Sequence, residues 1–214
     1  MPEIENRLGR STSSYRYYRN AVERHWDPHE IGLEEDREAL ADFDFEEGEE
    51  GFEYFRQTLA LFGAGEEEVT EDLAPLATAL DGIEDQMYVT TQMYEEAKHA
   101  DFFDRYWREV INPSEETVGM EVSSPHEDRW YADEYLELFE REEDAMHTLV
   151  DDDTPENRVR AYAHYHLTVE GILAQTGYWG ITKNFDGTQE DLPHLPGLVE
   201  GIKRIRGDEA RHVG

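Results

Sequence analysis

The sequence has no cysteine, only three lysines and no run of eighteen apolar residues. Without cysteine there can be no disulfide, no thiolate nucleophile and no Cys-ligated zinc or iron–sulfur cluster. Without a long apolar run, nothing reads as a membrane-spanning helix. The start, Met1-Pro2-Glu3-Ile4-Glu5, has neither the basic residues nor the apolar stretch of a secretory leader, so the expected location is the cytoplasm. Positive charge is scarce: 19 Lys and Arg face 52 Asp and Glu, a formal net charge of −33 over 214 residues. No basic patch remains to hold a polyanion, which argues against nucleic acid as a partner.

What is present points to a folded chain. Aromatics make up 12% and the hydrophobic set 38%, too much apolar material for a disordered acidic tail. The length suits a single domain over 1–214. Apart from Lys98, Lys183 and Lys203, every basic residue is Arg, and the acidic excess runs along the whole chain. That composition reads as halophilic, because in molar salt the Debye length falls to about 3 Å and self-repulsion is screened.

The pattern along the chain is helical, with almost no strand alternation. Residues 1–50 read as an irregular arm containing Trp26-Asp27-Pro28 and ending in an acidic run over 42–50. Helices are expected over about 52–80, with a kink at Pro75, then over 84–111, stopping at Asn112-Pro113. Two more cover about 127–150 and 154–183, the latter opened by Thr154-Pro155, and a last one begins near Leu195. Long helices with short connections make an all-α antiparallel bundle.

Steps of three and four along four of these helices trace apolar stripes, and each stripe contains one glutamate. The first runs through Leu59, Phe62, Glu66, Val69 and Leu73, and the second through Met93, Glu96, Ala100 and Phe103. The third is Val159, Ala163, His166, Glu170, Leu173 and Gly177, and the last Ile202, Ile205, Glu209 and His212. A lone buried carboxylate costs several kcal/mol unless paired or bound to metal. Four converging in one core call for cations. Two of them have a histidine three residues on, Glu96 with His99 and Glu209 with His212, so each pair shares a helix face. Two Glu plus two Glu-x-x-His is the ligand set of di-iron and di-manganese carboxylate bundles. With 34 Glu and 9 His, composition alone accounts for one or two such pairs, so the weight lies on the stripes. Glu142 also falls on a stripe, with Asp144 and His147 nearby; beside the acidic run 140–144 it reads as part of a solvated face. His164 and His166 read as polar core or supporting residues.

The stretch Ala64-Gly65-Glu66-Glu67-Glu68-Val69-Thr70-Glu71-Asp72-Leu73 resembles the first metal helix of the ligand-binding oxidases related to the ribonucleotide reductase small subunit. Glu95-Glu96-Ala97-Lys98-His99, Val169-Glu170-Gly171, Thr176-Gly177-Tyr178, Asp208-Glu209-Ala210-Arg211-His212 and Trp26-Asp27-Pro28 follow in the family's order. The resemblance implies a ferritin-like helical bundle with a manganese/iron or di-iron centre held by Glu66, Glu96, His99, Glu170, Glu209 and His212. It implies dioxygen activation there, a long-chain fatty acid ligand beside the metals, and an ether cross-link between Val69 and Tyr165. Tyr178 joins these two as a catalytic residue, and a homodimer is compatible with the family. Family members continue well past the last ligand, whereas this chain stops two residues after His212, so the C-terminal part of the fold is expected to be missing. Two other functions stay open: a ribonucleoside-diphosphate reductase small subunit and a ferritin-like metal-binding protein without oxidase activity. The usual radical tyrosine of the reductases is replaced by Phe103, yet Phe there and Glu at the first ligand position occur together in manganese/iron reductases.

Overall fold

The computed structural model describes residues 8–43 and 49–213, and among these there is no β-strand. The segment 1–5 and most of the acidic run over 42–50 lie outside the described residues. In chain order the α-helices are α1 Ser13–Glu23, α2 Glu34–Asp42, α3 Glu49–Ala79, α4 Ile83–Tyr106 and α5 Asn112–Val118. They are followed by α6 Asp133–Asp151, α7 Pro155–Tyr162, α8 Gln175–Phe185 and α9 Pro196–His212. The core of the bundle is α3, α4, α9 and the long helical rod that joins α7 to α8. The most extensive packing is α3 on α4; α6 covers the outside of α3 and α1 the outside of α4. No helix among the described residues is long and apolar enough to cross a membrane.

The α3, α4 and α9 stripes are buried as the periodicity predicts. Leu59, Val69, Leu73, Val89, Phe103, Ile202 and Ile205 all lie in the core. Two apolar clusters result, one around Phe102, Tyr106, Trp107 and Leu198, the other around Val69, Leu73, Tyr165 and Val169. The carboxylate-bearing turns lie where these clusters meet.

Four expectations need correction. The arm is not irregular, since it contains α1, a 3-10 turn at Pro28–Glu30 and α2. Its helix α2 has a run of charges and no long apolar stripe, so the periodicity misses it. Tertiary contacts hold it: Asp36 accepts hydrogen bonds from the Gly197 and Leu198 amides, both at 2.7 Å, and so caps α9 from another part of the chain. A Cβ at Gly197 would lie 2.5 Å from the Gly32 carbonyl oxygen, so only glycine permits this approach.

The second helix does not stop at Asn112-Pro113. A wide, π-helical turn at Trp107–Ile111 leads straight into α5, placing Pro113 in a first turn where its missing N–H is not needed. Gly119 then ends α5 with φ 76°. The expected helix from 127 begins at Asp133, because a 3-10 turn at Asp128–Trp130 first buries Trp130.

The fourth correction bears on chemistry. Between α7 and α8, residues Ala163–Ala174 are π-helical, and within them the Thr168 hydroxyl donates to the carbonyl of Ala163. Each π-turn takes up an extra residue, so the α-helical register fails on this rod. Val159 is 69% and Leu173 40% exposed, although the α-helical period puts both on the buried stripe. Tyr165 and Val169 turn inward with His166 and Glu170.

Candidate metal centre

Glu66 of α3, Glu96 and His99 of α4, Glu170 of the π-helical rod, and Glu209 and His212 of α9 converge in one buried cluster. They form two overlapping groups of potential ligands. Glu66, Glu96, His99 and Glu209 make one, and Glu96, Glu170, Glu209 and His212 the other, with all donor atoms of a group within 4.8 Å of one another. Glu96 and Glu209 belong to both. Glu96 places one oxygen 3.1 Å from His99 Nδ1 and the other 2.9 Å from His212 Nδ1. Glu209 does the same at 3.3 Å and 3.5 Å. Glu66 closes the His99 side at 3.3 Å and Glu170 the His212 side at 3.0 Å. The arrangement is two imidazole sites joined by two bridging carboxylates.

Each imidazole is held from behind by a carboxylate. His99 Nε2 meets Asp208 at 3.2 Å and His212 Nε2 meets Glu95 at 2.9 Å, which leaves both Nδ1 atoms for the interior. The exchange is reciprocal: Asp208 of α9 holds the histidine of α4, and Glu95 of α4 holds the histidine of α9. Arg211 donates to both Asp208 and Glu95 and ties the halves together. Asp208 also accepts from Trp26 Nε1 at 2.8 Å and Lys98 Nζ at 2.9 Å. Lys98 lies over the Trp26 ring, 4.6 Å from its centroid. Tyr88 Oη approaches the carbonyls of Arg211 at 2.6 Å and His212 at 3.0 Å, and so seats the last turn of α9.

Glu95, Asp208, Arg211 and Tyr88 lie off the apolar stripes of the sequence. The first three do leave a signal, since an acid precedes each Glu-x-x-His and a base lies inside it. Reading that repeat as support for the histidines requires knowing that the two helices lie side by side.

The charges of the cluster favour cations. Burial pushes Glu66 up to about 8 against the pull of His99. Burial, then the charge of Glu209, puts Glu170 well above the usual carboxylate range. Glu96 goes the other way: burial notwithstanding, His212 and His99 hold it well below. Both ligand histidines lie well above the ordinary imidazole, burial being outweighed by Glu66 at His99 and by Glu209 at His212. Protons must therefore do the work that cations would otherwise do. One oxygen of Glu170 and one of Glu209 are buried without a hydrogen-bond donor. Unpartnered carboxylate oxygens and inward Nδ1 atoms, with no sulfur, fit iron or manganese.

Two phenols border the cluster. Tyr165 donates to Glu96 at 2.8 Å, and Tyr178 donates to Glu66. Tyr165 stands five residues before Glu170, which would separate the two on an α-helix but puts them one turn apart in a π-helix. Val69 lies one α-helical turn past Glu66 and lines a cavity of about 440 Å³. Its floor includes Glu66, Glu96, Glu170 and Glu209, and its walls are mainly apolar, among them Phe62, Phe139, Val169 and Leu173. His166 stays outside the ligand groups. It hydrogen-bonds Gln92 at 3.0 Å, and burial lowers it to about 3, a neutral supporting residue as expected.

No protein-family model matches the chain. Solved structures do. An R2-like ligand-binding oxidase with an aerobically reconstituted Mn/Fe cofactor superposes with a TM-score of 0.82 at 30% identity, over all of this chain and 70% of that one. A tyrosine-to-phenylalanine variant of an R2-like ligand-binding oxidase, also with aerobically reconstituted Mn/Fe, gives 0.80 at 31% identity over 96% and 71%. A glycine-to-leucine variant with an Fe/Fe cofactor gives 0.80 at 30% over 96% and 68%.

Proposed function

Because this chain belongs to the family of R2-like ligand-binding oxidases, we propose that it is a di-metal oxidoreductase whose Mn/Fe or Fe/Fe centre is held by Glu66, Glu96, His99, Glu170, Glu209 and His212. The observation that carries the reading is the pair of shared carboxylates, each offering one oxygen to either histidine site. A bound metal pair would supply the redox equivalents with which dioxygen is reduced. Asp208 and Glu95 hold the two imidazoles with Nδ1 inward. The phenols of Tyr178 and Tyr165 fix the carboxylates of Glu66 and Glu96. All six residues of the cluster are buried, none more than 5% exposed.

The apolar cavity supports a long-chain fatty acid as ligand. Phe62, Phe139 and Val169 suit an acyl chain, while an anionic head would meet four carboxylates and be repelled unless cations lay among them. The cavity favours the oxidase over the reductase small subunit, whose radical chemistry has no use for an acyl site. Where the reductases usually carry a tyrosine, Phe103 stacks on Phe62 at 6.0 Å and offers no phenol.

Val69 and Tyr165 share one apolar cluster beside the carboxylates, which supports the ether cross-link. Its formation removes one hydrogen from a Val69 carbon and one from the phenol, joins carbon to oxygen, and passes two electrons and two protons to dioxygen. Peptide mass mapping after aerobic reconstitution tests it. The expected product is a joined Val69–Tyr165 peptide pair, lighter by two hydrogens and absent from an anaerobic control. Separate, unmodified peptides from fully metallated, oxygen-exposed protein would move the reading to a metal-binding bundle without oxidase chemistry.

A further inference from the structure

Glu142 is not part of the solvated face expected around it, although Glu140 and Asp144 of the same run are exposed. Glu142 of α6 is fully buried, and Asp72 of α3, which its carboxyl meets, is only 3% exposed. Asp72 Oδ2 and both carboxylate oxygens of Glu142 have no hydrogen-bond donor. A proton shared between the two carboxyls satisfies one pair of these three oxygens and leaves the third bare. Among the described residues neither carboxylate forms an ion pair with Lys or Arg, while Glu68, Glu71 and Glu143 add further negative charge around Asp72. Burial first, and then Asp72, pushes Glu142 up to about 9, so the seam binds a proton where a cation is absent.

The same seam carries a histidine. His147 lies four residues after Glu143 on α6, one turn apart, with 3.6 Å between its Nδ1 and a Glu143 oxygen. Asp72, Glu143 and His147 each offer a donor atom within 4.8 Å of the others. The Glu143 and His147 side chains are 45% and 49% exposed, which opens the group to solvent on the side away from the buried carboxyls. Asp72 is six residues past Glu66 on α3, about 9 Å along the helix axis, so this group is separate from the six-residue cluster.

We propose that Asp72, Glu143 and His147 form a second divalent-cation site on the α3–α6 seam, backed by the buried carboxyl of Glu142. Two carboxylates and one imidazole without sulfur suit Mn(II) among divalent ions, with water filling the open positions. The buried carboxyls make the site electronegative, and the exposed pair gives an ion its way in. A cation here would cross-brace α3 against α6.

Metal content of the aerobically reconstituted protein after dialysis against excess Mn(II) tests this. The wild type should hold one more ion per chain than His147→Ala, a change at a half-exposed position that the fold should absorb. Asp72→Asn should lose the same ion. The readout is a difference between proteins, so it stands whatever the six-residue centre holds. Equal metal content in the wild type and both variants would overturn the proposal. So would a third ion that His147→Ala retains.

Discussion

At the residue scale, the oxygens and nitrogens that face the centre matter no more than those that hold them. Asp208 collects hydrogen bonds from Trp26, Lys98, Arg211 and His99, residues drawn from three separate segments. Its charge holds a proton on His99 Nε2 and turns Nδ1 toward Glu66 and Glu96. In Asp208→Asn or Glu95→Gln the shape survives but the charge is lost. Metal affinity should fall by roughly 10–100-fold, the usual effect of removing a carboxylate behind a ligating histidine. Competition against a chelator of known affinity measures it. Affinity within a factor of two of wild type in both variants would show that the two carboxylates only support packing. The four clustered carboxylates were legible in the sequence because each sits on an apolar stripe, and His99 and His212 because each lies three residues past one of them. Their supports were not, because Asp208 and Glu95 serve histidines on each other's helices.

At the scale of elements, close packing of α9 on α4 brings the two Glu-x-x-His pairs together. A Cβ at Gly201 of α9 would lie 2.0 Å from the Phe102 ring of α4, so the helices approach through that glycine. Gly201→Ala should therefore destabilise by about 1–3 kcal/mol, although alanine is the better helix former. In a chain of this length that is a fall in melting temperature of several degrees, roughly 2–4 °C per kcal/mol. A melting temperature at or above wild type would mean that the ring simply turns aside. The π-helical stretch Ala163–Ala174 is the other decisive element. It brings Tyr165 and Glu170 onto one face and exposes Leu173, a register that stripe counting at 3.6 residues per turn could not give.

At the scale of the whole molecule, charge dominates. A formal net charge of −33 on 214 residues implies strong self-repulsion at low salt. Exposed ion pairs such as Arg204–Glu200 and Arg141–Glu137 contribute little individually and cannot offset it, because 52 acidic residues face 19 basic ones. Raising KCl from about 0.1 M to 1 M shortens the Debye length from about 10 Å to about 3 Å, so the melting temperature should climb steeply across that range. Calorimetric scans at a series of salt concentrations would show it. A flat response would end the halophilic reading and leave an acidic protein suited to dilute buffer.

The sequence by itself determined the helical class, the buried faces of α3, α4 and α9, and the six residues that converge in the buried cluster. A buried stripe repeats with the period of the helix, and a carboxylate within it stands out wherever the partner helices lie. Tertiary structure alone decided what depends on distance between segments. Asp36 reaches across 161 positions to cap α9, which gives α2 its place. Trp26 crosses 182 positions to reach Asp208. Glu142 sits on a face that charge density marks as solvated, and α3 covers it. No local pattern encodes such contacts, because each is fixed by how two distant surfaces fit once the core has closed.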